Sequence, residues 1–190
     1  MMKEGLIHVY TGNGKGKTTT SLGMALRAAG HGLKVNVIQF LKGGGYCGEF
    51  LASKVLPNLE IKQFGQDCPW AEEFKKGSTL KCGSCRFCFS VYSEDKDRCG
   101  YAVKYALDSV SSGRHDLVIL DEINSALNLG LINKMDVKML INKKHPKTEL
   151  ILTGRGAHEE ILEMADYATE MKELKHPMQK GTTARRGIEF

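Results

Sequence analysis

The sequence predicts an α/β fold in which helices cover both faces of a mostly parallel β-sheet. Segments rich in β-branched and aliphatic residues alternate with segments whose apolar residues recur at helical spacing. Such alternation is typical of βαβ units, and the uninterrupted apolar run Leu117–Leu120 indicates a strand buried on both faces. Because doubly wound sheets bind ligands at the carboxyl ends of their strands, we expect functional residues in the loops that follow strands.

The first half of the chain is predicted as strand, helix, strand and strand. Residues 6–10 are rich in β-forming types, and apolar residues recur at helical spacing over 17–29 until the glycines around His31 end the helix. Residues 34–40 form a second β-rich run. Residues 59–64 alternate apolar and polar side chains, as a half-buried strand does.

The second half continues the same alternation. An apolar helical stripe over 102–110 precedes the buried strand 117–120. A further helix, centred on Val137 and Leu140, ends near Pro146, because proline cannot continue a helix. The last predicted elements are a strand at 149–153, a helix at 159–165 and a strand at 167–171.

Composition indicates one globular domain over residues 1–190. The chain has 42% hydrophobic and 26% charged residues, and its start has no signal-peptide pattern, so we expect a cytoplasmic protein without a membrane partner. The net charge of +5 suits a nucleotide, but basic and aromatic residues are not interleaved, so nucleic acid is not expected. Residues 66–99 are rich in Cys, Gly and charge and are interpreted as an insertion within the domain.

A glycine-rich segment, Thr11-Gly-Asn-Gly-Lys-Gly-Lys-Thr18, follows the first strand and opens the first helix. In this context backbone N–H groups surround phosphate oxygens, Lys17 reaches the terminal phosphates and Thr18 can bind Mg²⁺. The usual spacing has glycine where this chain has Thr11, and Lys15 adds a cation. The segment predicts a P-loop for a nucleoside triphosphate. Its predicted binding residues are Gly12, Asn13, Gly14, Lys15, Gly16, Lys17, Thr18 and Thr19.

Two carboxylates, Asp121 and Glu122, directly follow the buried strand 117–120. Carboxylates at this position of a nucleotide-binding sheet hold Mg²⁺ directly or through water, and in hydrolases the second often aligns the attacking water. Acidic surface residues after a strand are the structural alternative. Combined with the P-loop, the pair predicts binding of a nucleoside triphosphate with Mg²⁺.

Three cysteines, Cys82, Cys85 and Cys88, are each separated by two residues. In a cytosolic protein such spacing indicates a metal rather than disulfides. A run of three with a remote fourth ligand is typical of a [4Fe-4S] cluster, and Cys68 or Cys99 would be the fourth ligand. A tetrahedral Zn²⁺ site is the main alternative, and free thiols are the third.

Short stretches along the whole chain form an ordered set, and the first extends the phosphate loop to Tyr10–Thr19. The others are Leu26-Arg-Ala-Ala-Gly-His-Gly32, Val37-Ile-Gln-Phe-Leu-Lys-Gly43, Leu120-Asp-Glu-Ile-Asn124, Leu152-Thr-Gly-Arg-Gly156, Ala165-Asp166 with Thr169-Glu-Met171, Lys175-His-Pro177 and Ala184-Arg-Arg-Gly-Ile-Glu-Phe190. This set resembles the ATP:corrinoid adenosyltransferases (cob(I)alamin adenosyltransferases) of the CobA type. The likeness fails only in the Cys-rich middle.

The resemblance implies a RecA-like P-loop NTPase fold, usually as a homodimer. It also implies an enzyme that transfers the 5′-deoxyadenosyl group of ATP to the Co(I) of a corrinoid, cobalamin or a precursor, and releases triphosphate. Members of the family bind ATP in a reversed orientation that exposes the ribose 5′ carbon to the cobalt nucleophile. Reduction of Co(II) to Co(I) implies an electron-donor protein of the flavodoxin or ferredoxin kind, and a cluster in the insertion would relay that electron.

Residue by residue, Thr18 and Glu122 match the metal-binding positions of the family, with Asp121 beside them. The expected catalytic residues are Lys17, Thr18 and Glu122. Arg155 matches an arginine on the polyphosphate side, and the structural alternative is an arginine paired with a helix carboxylate.

Trp70 resembles one of two aromatic residues that the family places against the lower corrin face, but Cys68-Pro69 lies where a second might be. Core packing is the alternative for Trp70. His176 is expected to be structural, because the reaction needs no general base. The family often has an N-terminal arm over the active site, and we expect its covering role to be missing here or to fall to another segment.

Two other functions remain open from the residues alone. A P-loop ATPase or kinase would use Glu122 to align water or a hydroxyl, and inorganic phosphate rather than triphosphate as product would identify it. A non-enzymatic binding module would use a Cys-rich loop, held in shape by a metal ion, to bind a protein or nucleic acid.

Overall fold

The computed structural model describes residues 3–77, 87 and 90–190. Its strands are β1 (Ile7–Thr11), β2 (Val35–Phe40), β3 (Leu59–Phe64), β4 (Leu117–Asp121), β5 (Glu149–Thr153) and β6 (Tyr167–Glu170). They form a sheet in the order β3-β2-β4-β5-β1-β6, and all neighbouring pairs are parallel. The predicted parallel α/β sheet is thereby confirmed, with strand bounds within one or two residues of the expected ones.

Helices supply the crossovers that parallel strands need. They are α1 (Lys17–Gly30), α2 (Gly48–Ser53), α3 (Ala71–Lys75), α4 (Glu94–Ser111), α5 (Ile123–Asn128), α6 (Lys134–Asn142) and α7 (Glu159–Leu162), and a 3₁₀ turn follows at Pro177–Lys180. The four predicted helices are present, although α7 is shorter than expected. The short helices α2, α3 and α5 were not predicted, because five or six residues do not contain a full apolar repeat.

Helix α4 overlaps the end of the predicted insertion 66–99. Helix α4 begins at Glu94 and therefore includes Cys99, which is 0% exposed and packs in the main hydrophobic core. The part of the insertion nearest α4 thus belongs to the core of the fold. Helix α3 lies inside the insertion and packs in a smaller cluster with Cys68.

The neighbouring interior strands β2 and β4 are buried on both faces. In β4, Val118 and Leu120 pack in the larger core on one face of the sheet, whereas Leu117 and Ile119 pack in a second core. Alternate residues point to opposite faces of a strand, so a continuous apolar run fills both cores. Two-sided burial is the physical reason why this strand could be predicted from four residues.

The carboxyl ends of the strands meet at one edge of the sheet. The phosphate loop follows β1, Lys42 follows β2 closely, Asp121 is the last residue of β4, and Gly154 follows β5. These four positions are far apart in sequence and are brought together by the strand order.

Among the helices that the structure describes, none is long and apolar enough to cross a membrane.

Candidate active site

The phosphate loop is packed tightly against the end of β6. Gly14 donates its backbone N–H to the carbonyl oxygen of Met171 at 2.7 Å. Gly12 has φ 96°, and a Cβ atom there would lie 2.4 Å from the same carbonyl oxygen. A side chain at Gly12 is excluded both by the left-handed conformation and by the neighbouring backbone. The glycine one residue after Thr11 is therefore required by the packing of the loop.

Lys17 is held inside the loop that it follows. Its Nζ donates to the carbonyl oxygens of Gly12 and Gly14, both at 2.7 Å, and the residue is only 7% exposed. Burial lowers the pKa of the Lys17 ammonium, an effect that the nearby Glu122 carboxylate opposes. The side chain is thus positioned at the loop, where phosphate oxygens are expected.

Asp121 is the centre of a buried hydrogen-bond network. Its Oδ1 accepts from the hydroxyls of Thr18 at 2.8 Å and Thr153 at 2.7 Å. Its Oδ2 accepts from Lys42 Nζ at 3.0 Å and Gln39 Nε2 at 3.1 Å. Asp121 is 0% exposed, and although burial alone would raise its pKa, Lys42 and the two hydroxyls outweigh burial and lower it. The carboxylate is therefore ionised and saturated with donors.

Lys42 was not singled out from the sequence as a site residue. Its Nζ lies 3.0 Å from Asp121 Oδ2 and 3.7 Å from Glu49 Oε1. Burial disfavours its charge, but the two carboxylates outweigh this effect and raise its pKa. The signal that could have found it is its position two residues after β2, because β2 neighbours β4 in the sheet.

Glu122 lies directly after β4 in a left-handed backbone conformation, with φ 64°. Such a conformation costs about 1–2 kcal/mol for a non-glycine residue. It is held there because the Glu122 N–H donates to Thr153 Oγ1 at 2.9 Å and the side-chain Oε2 accepts from the hydroxyl of Ser125. Backbone strain of this kind is concentrated at functional sites.

One cavity of about 470 Å³ brings the predicted residues together. Residues 13–19 of the phosphate loop form one wall, and Glu122, Arg155 and Lys42 also line it. Gly12 does not line the cavity but allows the tight turn of the loop. Asp121 also does not line it, and contacts the lining residue Thr18 through a hydrogen bond. The cavity therefore combines cationic side chains with hydroxyls and carboxylates, groups that can hold a polyphosphate with a divalent cation.

Residues 187–190 also line this cavity, although none of them is a predicted site residue. Glu189 Oε1 lies 3.8 Å from Lys15 Nζ of the phosphate loop. The ring of Phe190 packs edge-on against Tyr46 and Phe74, with centroid distances of 5.7 and 5.4 Å. This segment therefore connects the phosphate loop to α3 and forms an outer wall of the cavity.

His176 also lines the cavity and has a structural hydrogen bond. Its Nδ1 accepts from the backbone N–H of Met178 at 3.2 Å and so caps the 3₁₀ turn Pro177–Lys180. This contact accounts for the side chain without a role in proton transfer.

Trp70 does not belong to the core. It is 45% exposed and precedes α3, and its neighbours Pro69 and Ala71 line a second cavity of about 790 Å³. The alternative that Trp70 is a packing residue is therefore disfavoured by its exposure.

The predicted cysteine ligands Cys82, Cys85 and Cys88 lie outside the described residues. Of the two candidates for a fourth ligand, Cys99 is in the main core, where burial and then Asp95 raise the pKa of its thiol to about 11. Cys68 is buried in the small cluster with α3. Within residues 3–77, 87 and 90–190, no group of three or more His, Cys, Asp or Glu side chains could hold a metal ion.

Comparison with known proteins shows the family of the chain. Residues 3–190 match the family model for the ATP:corrinoid adenosyltransferases BtuR/CobO/CobP. A corrinoid adenosyltransferase of Sinorhizobium sp. is 36% identical over 99% of this chain and 81% of its own length. The corresponding proteins of Escherichia coli K12 and, under the name CobA, of Salmonella typhimurium are 32% and 31% identical, each over 99% of this chain and 87% of its own length.

Among solved structures, the RadB recombinase is similar over 93% of this chain and 78% of its own, with 13% identity and a TM-score of 0.46. The sequence relatives favour the transferase over the ATPase or kinase and over the binding module. The chain belongs to the ATP:corrinoid adenosyltransferase family and is an enzyme of ATP-dependent adenosyl transfer to a corrinoid.

Proposed function

We propose that the 470 Å³ cavity binds the triphosphate of ATP with Mg²⁺ and stabilises it as the leaving group of adenosyl transfer. The observation that carries the proposal is the convergence of Lys17, Thr18, Glu122 and Arg155 on one cavity at a P-loop. Lys17 and Arg155 supply positive charge, and the loop supplies backbone N–H groups.

The residues present fit a magnesium ion. The hydroxyl of Thr18 uses its proton in the hydrogen bond to Asp121, which leaves its lone pairs for a cation. The Glu122 carboxylate accepts one hydrogen bond from Ser125 and has capacity for a metal as well. Mg²⁺ commonly binds through one or two protein ligands with substrate phosphates and waters, so this small donor set is sufficient.

Asp121 supports this site from behind. Because both of its oxygens already accept two hydrogen bonds, we assign it the orientation of Thr18 rather than direct contact with the ion. When bound, Mg²⁺ would neutralise negative charge that develops on the polyphosphate.

The reaction places few demands on proton transfer. The cobalt of Co(I) supplies the electron pair of the new cobalt–carbon bond, and the bond between the ribose 5′ carbon and its phosphate oxygen breaks. The electron pair of that bond leaves on the triphosphate, so the protein must stabilise an oxyanion. Lys15, Lys17, Arg155 and the loop N–H groups are suited to this task, and one such donor commonly contributes about 3–4 kcal/mol to the transition state.

Trp70 is proposed to contact the corrinoid, supported by its exposure and by the family resemblance.

A metal in the insertion, [4Fe-4S] or Zn²⁺, stays a prediction, and Cys68 is the better fourth ligand, because Cys99 is a neutral thiol in an apolar core. The homodimer, the electron-donor protein and the cytoplasmic location also stay predictions.

An anaerobic assay with Mg-ATP and chemically reduced cob(I)alamin tests the proposal. We expect loss of the Co(I) spectrum, a light-sensitive cobalt–carbon product and an equal amount of triphosphate. Glu122→Gln should lower kcat by about 100-fold or more, whereas Glu163→Gln, an exposed residue outside the cavity, should not change it. Accumulation of orthophosphate with unchanged Co(I), or full activity of Glu122→Gln, would contradict the proposal.

A further inference from the structure

Helix α5 presents polar side chains to the loop that carries Arg155. Ser125 and Asn128 are three residues apart on one side of α5, and Glu122 lies directly before the helix, three residues ahead of Ser125. This side faces the turn after β5, which contains Gly154, Arg155 and Gly156. Glu122 and Arg155 are predicted site residues, whereas no sequence motif predicts a role for Ser125 or Asn128.

The hydroxyl of Ser125 joins the two predicted site residues. It donates its proton to Oε2 of Glu122 and accepts the backbone N–H of Arg155 at 3.1 Å. A hydroxyl has one proton, so the bond to the carboxylate turns its lone pairs toward the Arg155 amide. The position of the carboxylate and the position of the arginine backbone are therefore coupled through one atom.

Asn128 holds the other side of the same peptide. Its Nδ2 donates to the carbonyl oxygen of Arg155 at 2.6 Å and to that of Gly156 at 2.9 Å. Both backbone polar groups of Arg155 are thus bound by side chains of α5. Because Asn128 is exposed, these contacts contribute little to the core.

The turn has no room to shift toward α5. A Cβ atom on Gly154, which has φ 130°, would lie 2.7 Å from the backbone nitrogen of Ser125. A Cβ atom on Gly156, which has φ 63°, would lie 2.5 Å from Nδ2 of Asn128. The two glycines therefore allow the backbone to approach the helix as closely as the hydrogen bonds require.

Thr11 ties the far end of this turn to the phosphate loop. Its Oγ1 accepts the backbone N–H of Ala157 at 3.0 Å. Thr11 occupies the position where the usual P-loop has glycine, which has no side chain for such a contact. The departure from the usual spacing therefore gives the turn a third anchor.

We propose that Ser125, Asn128 and Thr11 are positioning residues that set Arg155 at a fixed place relative to Glu122 and the phosphate loop. This inference rests on the proposed roles of Arg155 and Glu122 in holding the triphosphate and its cation. The long side chain of an arginine stabilises a developing charge well only when its backbone is fixed. A small misplacement of the guanidinium weakens its contacts with the transition state and so lowers the rate.

Kinetics of single variants test the anchors. Ser125→Ala and Asn128→Ala should each lower kcat by about 10–100-fold, with a smaller change in the KM for ATP, the usual effect of removing a supporting hydrogen bond. Ser125→Thr keeps the hydroxyl and should restore most of the lost kcat. Ser111→Ala is the matched control, because it removes an exposed serine hydroxyl on α4 that donates to the Leu107 carbonyl oxygen.

A double-variant comparison separates positioning from stability. If Asn128 acts through Arg155, then Asn128→Ala should cost much less kcat in an Arg155→Ala background than in the wild type. Equal losses in both backgrounds, or full activity of Asn128→Ala, would overturn the inference while leaving the role of Arg155 intact. Full activity of Arg155→Ala would overturn the proposed role of Arg155 and this inference together. Because Asn128 is exposed, its variant should fold even if Ser125→Ala does not.

Discussion

The hydroxyl of Thr18 donates a 2.8 Å hydrogen bond to Oδ1 of Asp121 and so joins the phosphate loop to the end of β4, 103 positions away in sequence. Asp121 is ionised and fully buried, so the bond is charge-assisted and protected from water. It fixes the direction of the Thr18 hydroxyl proton. The oxygen lone pairs of Thr18 are consequently presented to the cavity.

Replacing Thr18 by alanine tests this relationship. Thr18→Ala removes a proposed magnesium ligand and leaves Asp121 with one donor fewer, so we expect kcat to fall by about 100-fold or more. Thr18→Ser keeps the hydroxyl and should remain within about tenfold of the wild type. The measurements are kcat and the Mg²⁺ concentration for half-maximal rate, and equal activity of the alanine and serine variants would contradict the assignment.

Asp121→Asn should destabilise the fold in a pH-dependent way. The substitution leaves the partly buried Lys42 ammonium without its carboxylate partner, and removing one partner of a buried pair commonly costs about 3–5 kcal/mol. The folded-state pKa of Asp121 is lowered, so its stabilisation is present above the unfolded-state pKa of about 4 and is lost as the pH falls through the folded-state value.

Urea unfolding at a series of pH values measures this effect. The difference in free energy of unfolding between wild type and Asp121→Asn should be largest near about pH 7 and shrink below about pH 4. Asp108→Asn, in an exposed pair with Arg114, is the control and should cost less than about 1 kcal/mol. A difference that is constant with pH would mean that the charge of Asp121 is not what stabilises the fold.

Cys99 should resist alkylation in the folded protein. Burial raises the pKa of its thiol to about 11, so at about pH 8 only a small fraction is the reactive thiolate, and the side chain is also inaccessible. We expect iodoacetamide to modify Cys99 in urea but not in the native protein, as read by peptide mass spectrometry. Protection that disappears on adding a chelator would instead identify Cys99 as a metal ligand.

Trp70→Ala should separate reduction of the corrinoid from transfer. If Trp70 packs against the corrin ring, its loss should slow the reaction that starts from the Co(II) corrinoid by about tenfold. This factor corresponds to the free energy of about one aromatic contact. The rate that starts from chemically produced Co(I) should fall less. Tyr101→Ala, which removes an exposed aromatic ring from α4, is the control. Equal losses from Co(I) and Co(II) would contradict a role in reduction.

Phe190→Ala should loosen the outer wall of the cavity. The substitution removes the ring contacts with Tyr46 and Phe74, which are worth about 0.5–1.5 kcal/mol each, and frees the segment whose Glu189 lies beside Lys15. We expect faster hydrogen exchange over residues 185–190 and a KM for ATP raised several-fold. Leu174→Ala, at a 91% exposed position, should change neither quantity. Unchanged exchange would show that Phe190 does not hold the segment.

Local signals in the sequence determined the elements and the phosphate loop. Each of three features depends on residues within a few positions of one another: the buried strand 117–120, the glycine-rich loop and the acidic pair after β4. Patterns of such short range can be recognised in the sequence itself. The ordered stretches along the chain pointed to the family for the same reason. Composition describes the segment 66–99 as a whole, whereas the packing of α4 decides that Cys99 lies in the core.

Only the tertiary structure decided which side chains meet at the site. Lys42, Gln39 and Thr153 reach Asp121 because the strand order places their strands' carboxyl ends near the end of β4. Thr11 contacts Ala157 across 146 positions. Hydrogen bonds over such separations depend on which strands become neighbours, and this is settled by burial of the whole sheet rather than by any local pattern. The residue types of the site are therefore a property of the sequence, and their contacts are a property of the fold.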